Sequence, residues 1–175
     1  MRIRKETVLK YFAYGSNLLA ARLLARVEAA DLGMATLSGW TLRWNYHSVD
    51  GSGKCNIEPV KDSTSAVYGV LYEMDKDAFA VLDRIEMGYK RIEVSLDHAG
   101  KRAEAWVYVY AQPAPEAAPY SWYKGLVLSG AIEHGFPQGA IQDLKSVAAV
   151  PDPVPDRPGK VHAEALLRDA GYAPS

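Results

Sequence analysis

The stretch from Tyr11 to Leu18, which reads YFAYGSNL, constrains the fold more than any other part of the chain. Residues 8–14 are largely apolar and aromatic, which predicts a buried strand. Residues 17–30 place leucines and a valine at helical spacing, with Arg22, Arg26 and Glu28 on other faces, which predicts a helix. Because Gly15 permits backbone angles that other residues resist, the strand should turn straight into the helix there.

A junction of this kind can bind an anion. Ser16 and Asn17 are both residues that favour a helix N-cap. The junction leaves several backbone N–H groups directed at one point, with the positive end of the helix dipole behind them. The segment is therefore a candidate cradle for a carboxylate or for an oxyanion formed during a reaction. A plain capped helix with no ligand explains the same pattern.

Length and charge limit the class of protein. The 175 residues suit one domain with a full core, and the net charge of −1 argues against binding to nucleic acid or to anionic membranes. No stretch approaches the roughly 20 apolar residues of a membrane span, and the N-terminus lacks the apolar run of a signal peptide. We expect a soluble, cytoplasmic protein. Cys55 is the one cysteine, so an intrachain disulfide is excluded.

The rest of the chain mixes strands and helices without regular alternation, which indicates the α+β class. Strands are predicted at 33–46, 55–60, 65–73, 89–97 and 102–111, and helices at 76–86, 120–134, 137–149 and 160–170. Four prolines between Pro151 and Pro158 exclude a helix through that segment. We therefore expect a domain over residues 1–150, followed by a proline-rich tail at 151–175 with a short helix.

Two further motifs follow the first in order. Residues 82–89 read LDRIEMGY and precede a strand, and residues 119–139 read PYSWYKGLVLSGAIEHGFPQG. Together with YGSN, they resemble the gamma-glutamylcyclotransferase family, within the wider AIG2-like and BtrG-like superfamily, over roughly residues 8–150. The resemblance implies a small closed, mixed β-barrel with helices packed around it.

The resemblance also implies a reaction without metal or cofactor. The α-amine of a γ-glutamyl amide, the small-molecule substrate, attacks its own δ-carbonyl. The attack closes the ring of 5-oxoproline and releases a free amino acid or amine. Tethered groups of this kind reach effective molarities of roughly 10⁵–10⁸ M. The enzyme must deprotonate the α-ammonium, stabilise the oxyanion and protonate the leaving nitrogen.

The resemblance places the catalytic glutamate at Glu86, as general base and then general acid. A carboxylate at the C-terminal end of a helix and beside Met87 should have a raised pKa, which suits both tasks. A solvated glutamate at a helix end is the alternative. Asp83 is interpreted as a structural partner of Arg84, Arg91 or a backbone N–H. Glu58, which shares a strand face with Asn56, is a weaker candidate for the base.

Substrate contacts follow from the first motif and from three later tyrosines. The implied residues are Tyr11, Phe12, Ala13, Tyr14, Gly15, Ser16, Asn17, Leu18, Tyr89, Tyr108 and Tyr123. For Tyr11 and Tyr108, packing alone explains the residue nearly as well. Ser16 lacks a histidine at a matching spacing that would make it a nucleophile. The four histidines show no metal-ligand spacing and are expected in loops or at the surface.

Several alternatives stay open from the sequence. The leaving group could be an amino acid, an amine, the ε-amine of a lysine or a γ-glutamyl-protected biosynthetic intermediate. A non-catalytic module that binds a small acid would use the same cradle. A hydrolase in which Glu86 activates water would release free glutamate. A weak homodimer is an expectation from the resemblance alone.

Overall fold

A computed structural model describes residues 7–62, 64–112 and 114–172. The strands are β1 (Leu9–Ala13), β2 (Ala30–Ser38), β3 (Trp40–His47), β4 (Gly53–Pro59), β5 (Ala66–Met74), β6 (Lys90–His98) and β7 (Lys101–Val109). The helices are α1 (Ala20–Leu24), α2 (Lys76–Ile85), α3 (Ser121–Glu133), α4 (Gln138–Ser146) and α5 (Pro158–Asp169), and a short 3-10 helix spans Ser16–Leu18. The predicted α+β class is confirmed.

Five strands close into a barrel in the order β1-β5-β2-β6-β7. Neighbouring strands run antiparallel except β1 and β7, which are parallel and meet where Tyr11 lies opposite Trp106. Strands β3 and β4 form a separate two-stranded sheet. One apolar core joins the barrel to the helices, as the contacts of Phe12, Leu82 and Leu126 illustrate. The closed, mixed barrel implied by the resemblance is therefore confirmed.

The helix predicted at 17–30 is wrong in length. The 3-10 helix is followed by the five residues of α1, and β2 already begins at Ala30. The helix stops early because Ala30 pairs with Glu73 of β5, so the chain must be extended there. Most of the leucines that predicted the helix are nevertheless buried, since both short helices direct them into the core.

The single strand predicted at 33–46 is also wrong, because it is two strands. The chain breaks at Gly39, whose φ of +79° lies in the left-handed region that glycine adopts without strain. The first half, β2, belongs to the barrel, and the second half, β3, pairs with β4. Elsewhere the predicted strands and helices are confirmed to within a few residues at each end.

The C-terminal segment packs onto the same core. Ala163 and Leu167 of α5 are buried in the apolar cluster of the barrel. The Asp152 carboxylate accepts hydrogen bonds from Trp122 Nε1 at 3.0 Å and from Arg157 Nε at 2.7 Å. The domain boundary at residue 150 remains a prediction. Among the helices of the described residues, none combines the length and apolar character needed to cross a membrane.

Helix α3 fixes the position of the 3-10 helix through one glycine. A Cβ atom on Gly130 would lie 2.3 Å from the backbone nitrogen of Leu19 and 2.4 Å from the carbonyl carbon of Leu18. Both contacts are with backbone, which cannot move aside as a flexible side chain can. The segment that follows Gly15 is therefore held directly against α3.

Replacing this glycine should destabilise the protein. We expect Gly130→Ala to lower the free energy of unfolding by about 3 kcal/mol, because the new methyl group overpacks a backbone contact. Gly139→Ala is the matched control, since Gly139 also lies in a helix but a Cβ atom added there would meet no other atom within 4 Å. That change should be neutral or stabilise by up to about 1 kcal/mol. Urea unfolding of both variants measures the difference, and equal stabilities would contradict the close contact.

Candidate active site

A small pocket that opens to solvent lies where β1 ends. Its lining residues come from five separate segments of the chain and are Tyr11, Tyr14, Gly15, Ser16, Asn17, Cys55, Glu86, Tyr89, Tyr108 and Tyr123. The structure thus brings together the predicted Glu86, the cradle and the later tyrosines. Phe12, Ala13 and Leu18 lie in the core behind the lining.

Glu86 follows the last residue of α2 and turns its carboxylate into this pocket. Its Oε1 accepts hydrogen bonds from Asn17 Nδ2 at 3.1 Å and from Arg26 Nη1 at 3.4 Å. Burial raises the pKa of Glu86, while Arg26 and Asn17 oppose that shift. Met87 is 75% exposed and does not line the pocket, so the prediction that it helps to raise the pKa of Glu86 is wrong. The predicted direction of the pKa shift is confirmed.

Asn17 connects the parts of the site through its side chain. Besides Glu86, its Nδ2 donates to the hydroxyl of Tyr11 at 3.1 Å, and its Oδ1 accepts from Arg26 Nη1 at 3.1 Å. Because guanidinium groups only donate, Oδ1 must face Arg26 and Nδ2 must face the carboxylate. Neither Ser16 nor Asn17 caps a helix with its side chain, so that prediction is wrong. Glu133 instead accepts the N–H of Ala20 at 3.0 Å, at the start of α1.

The cradle is made of backbone N–H groups rather than of a long helix end. Among the described residues, no protein acceptor takes the N–H of Ser16 or Asn17. The helix after them is too short and too interrupted to add the dipole that the sequence predicted. Gly15 has a φ of −113°, which is outside the left-handed region that favours glycine. Glycine is needed there for space, because a Cβ atom would lie 3.1 Å from the Tyr123 hydroxyl and 3.3 Å from Cys55 Cβ.

Three of the pocket tyrosines use their hydroxyl protons within the protein. Tyr14 donates to the carbonyl of Tyr108, and Tyr89 donates to the carbonyl of Cys55 at 2.8 Å. Tyr108 donates to Asp83 Oδ1 at 2.7 Å, and Asp83 also pairs with Arg91 at 3.2 Å. The structural role predicted for Asp83 is therefore confirmed, and these three tyrosines serve as walls of the pocket.

Tyr11 and Tyr123 differ from the other three. The Tyr11 hydroxyl accepts from Asn17, and the Tyr123 hydroxyl accepts from the backbone N–H of Cys55 at 3.2 Å. Within the described residues, neither hydroxyl proton has an oxygen or nitrogen acceptor, and the thiol of Cys55 beside the Tyr123 hydroxyl is only a weak acceptor. Burial raises the pKa of both phenols, so both remain protonated at neutral pH. They are therefore the two tyrosines that can donate a hydrogen bond to a ligand.

Sequence reasoning missed the cationic side of the site. The sequence analysis placed Arg22 and Arg26 on faces of the helix other than that of the leucines and gave them no role. In the structure, Arg26 binds Glu86 and Arg22 is only 7% exposed. Burial lowers the pKa of Arg22 to about 10, and its Nε has no hydrogen-bond partner among the described residues. The spacing of four residues between the two arginines was the available signal, because it places them on one helical face. Cys55 was missed as well, since a lone cysteine carries no motif.

Other candidates lie away from the pocket. Glu58 pairs with Arg43 at 3.7 Å and accepts from Asn45 at 2.9 Å, outside the lining. His134 was expected in a loop or at the surface, but its side chain is 6% exposed and bonds Asp31 at 2.8 Å. In the part of the chain that the structure describes, no group of three or more His, Cys, Asp or Glu residues is placed to hold a metal ion.

The raised pKa of Glu86 predicts a pH-dependent stability difference. A carboxylate with a raised pKa in the folded state stabilises the fold fully below its unfolded pKa of about 4.3 and loses that contribution as pH rises. Glu86→Gln cannot ionise, so its stability relative to wild type should increase from pH 4 to pH 8. Thermal unfolding of both proteins across this range measures the stability of the variant minus that of wild type, and a difference that falls as pH rises would contradict the raised pKa of Glu86.

Comparison with known proteins gives the family of the chain. The family model described as gamma-glutamyl cyclotransferase, AIG2-like, matches residues 11–125. A mouse protein named gamma-glutamylcyclotransferase is 30% identical over 159 residues, which cover 81% of this chain and 79% of the mouse protein. A solved structure named gamma-glutamyl cyclotransferase has a TM-score of 0.82 at 26% identity, covering 93% of this chain and 99% of that one. A human protein described as uncharacterized has a TM-score of 0.75 at 30% identity, covering 83% and 90% of the two chains. The chain belongs to the gamma-glutamylcyclotransferase family.

Proposed function

We propose that the protein is a gamma-glutamylcyclotransferase that converts a γ-glutamyl amide into 5-oxoproline and a free amino acid or amine. The observation that carries the proposal is a carboxylate, Glu86, whose side chain is only 19% exposed and which lines the same small pocket as Ser16 and Asn17. The backbone N–H groups of Ser16 and Asn17 have no protein acceptor among the described residues. Cyclisation needs a base and an oxyanion site close together, and little else, because the substrate carries its own nucleophile.

Glu86 would act first as the base. Its contacts with Asn17 and Arg26 both fall on Oε1, which leaves Oε2 for the α-ammonium of the substrate. The raised pKa makes the carboxylate a better proton acceptor near neutral pH than an exposed glutamate would be. The two protons lost by the α-ammonium are the two that the leaving nitrogen gains, so Glu86 can pass them on and no water is consumed.

The cradle would stabilise the negative charge that develops on the δ-oxygen. Removing one such donor typically costs about 10²–10³ in kcat. Tyr11 and Tyr123 supply two further donors, for the δ-oxygen or for the α-carboxylate. Arg22 and Arg26 add positive charge around the same pocket, which favours the binding of a ligand with an anionic group.

Replacing the base tests the proposal directly. We expect Glu86→Gln to abolish turnover and to retain substrate binding, because the shape is kept and only the proton acceptor is lost. Glu58→Gln is the matched control and should retain turnover, since Glu58 lies outside the pocket. Mass spectrometry of products from a panel of γ-glutamyl amino acids and γ-glutamyl amines measures the outcome and identifies the leaving group.

The products separate the alternatives. Free glutamate in place of 5-oxoproline would identify a hydrolase in which Glu86 activates water. Binding of γ-glutamyl compounds without any product would indicate a binding module on the same fold. Turnover near the wild-type rate in Glu86→Gln would remove this residue from the mechanism.

The tyrosines provide a second test. Tyr11→Phe and Tyr123→Phe should each lower kcat/KM by about tenfold, because each loses a hydrogen bond to a charged or developing-charge group. Tyr89→Phe should instead lower the free energy of unfolding by about 1 kcal/mol, since the Cys55 carbonyl loses its donor. Steady-state kinetics and urea unfolding of the three variants measure both quantities. Tyr110→Phe, outside the lining, is the control and should change neither.

A further inference from the structure

Lys54 is a buried cation beside the active site that the proposed mechanism does not use. Its side chain is 12% exposed, and Nζ lies 2.9 Å from both Asp50 Oδ2 and Ser52 Oγ. Nζ also lies 4.6 Å from the ring centroid of Trp122 and 4.5 Å from that of Tyr123. Attraction between a cation and an aromatic ring is stronger where the cation is shielded from water, and little of the Lys54 side chain is exposed.

Strand β4 holds Tyr123 at two points through consecutive residues. The ammonium of Lys54 lies over the phenol ring, and the backbone N–H of Cys55 donates to the hydroxyl at 3.2 Å. The rings of Trp44 and Trp122 contact Tyr123 edge-on, at interplanar angles of 85° and 81°. The ammonium of Lys54 is therefore one of the groups that hold the ring of Tyr123, and with the ring its hydroxyl, in place.

Asp50 in turn fixes the ammonium. Its Oδ1 accepts from the backbone N–H of Ser52 at 2.9 Å, so the carboxylate is itself held in place. The hydroxyl of Tyr120 donates to the Asp50 carbonyl at 2.7 Å and ties this turn to the residue that precedes α3. The turn, the start of β4 and the start of α3 thus form one unit around Lys54.

We propose that Lys54, held by Asp50, is a positioning residue that orients the Tyr123 hydroxyl toward the γ-glutamyl substrate. The inference rests on the proposed function, in which Tyr123 donates a hydrogen bond to the substrate. Lys54 does not line the pocket and acts only through the ring and the hydroxyl of Tyr123. The simpler role, a buried ion pair that only stabilises the turn, would affect folding but not catalysis through Tyr123.

A double-mutant cycle on kcat/KM separates the two roles. Lys54→Met should lower kcat/KM by about tenfold in the wild-type background and by less than twofold in Tyr123→Phe, where the hydroxyl is already gone. Lys54→Arg should restore most of the loss, because a guanidinium keeps the charge and stacks on aromatic rings. An equal loss in both backgrounds, or no loss in either, would overturn the proposal.

Two further variants control for folding. Asp50→Asn combined with Lys54→Met removes both charges, so no carboxylate is left buried without its cation, and it should reproduce the kinetics of Lys54→Met. Lys124→Met removes a lysine next to Tyr123 whose Nζ binds the carbonyls of Lys145 and Val147. This variant should lose stability and keep kcat/KM, whereas a tenfold loss would overturn the assignment to Lys54.

Amide hydrogen exchange tests the proposal without turnover. In Lys54→Met the Cys55 amide should exchange at least tenfold faster, because the Tyr123 hydroxyl that it binds is no longer held. The Ile57 amide, in the same strand and opposite Leu42, should keep its wild-type rate. Equal acceleration at both amides would indicate loosening of the whole strand and overturn the proposal. If the wild-type protein produced no 5-oxoproline, the proposed function would be refuted. The exchange rates of the Cys55 and Ile57 amides would still test whether Lys54 holds Tyr123.

Discussion

The side-chain amide of Asn17 is the interaction on which the site depends. It joins β1 through Tyr11, the stretch after α1 through Arg26, and the end of α2 through Glu86. These segments are separate elements of the fold, and each contributes a group that is polar and at least partly buried. Because the amide has one accepting and one donating end, it fixes which partner faces which atom. The packing of Gly130 against Leu18 and Leu19 holds the backbone that carries this amide.

The site keeps groups that a purely stabilising core would exclude. Glu86 and Arg22 are both ionisable and poorly solvated, and burial shifts the pKa of each toward its neutral form. The N–H groups of Ser16 and Asn17 lack protein acceptors among the described residues. Unpaired polar groups of this kind cost stability and are common where a ligand completes the hydrogen bonding. The surrounding closed barrel and its apolar core offset that cost.

Short-range sequence patterns predicted the secondary structure correctly where residues close in the chain determine it. The hairpin of β6 and β7 is one example, because strands were predicted at 89–97 and 102–111 and the residues between them, Ala99 and Gly100, adopt the positive φ of a tight turn. The motif around Glu86 likewise located the carboxylate. The end of α1 was predicted wrongly because pairing with β5, some forty residues away, decides it. Gly39 was overlooked because the apolar pattern continues across it, although the chain there leaves the barrel.

By itself, the sequence determined the positions of most strands and helices and the strand-to-helix junction at Gly15, since these follow from residue types and spacing over a short range. The carboxylate at Glu86 was placed by the resemblance of its motif to the family. The tertiary structure alone decided which tyrosines can donate to a substrate. The hydroxyl of Tyr14 donates to a carbonyl 94 residues away in the chain, and that of Tyr89 donates to a carbonyl 34 residues away. The hydroxyl of Tyr108 donates to a carboxylate 25 residues away. Hydrogen bonds depend on distances of about 3 Å between groups, and only the folded barrel sets those distances.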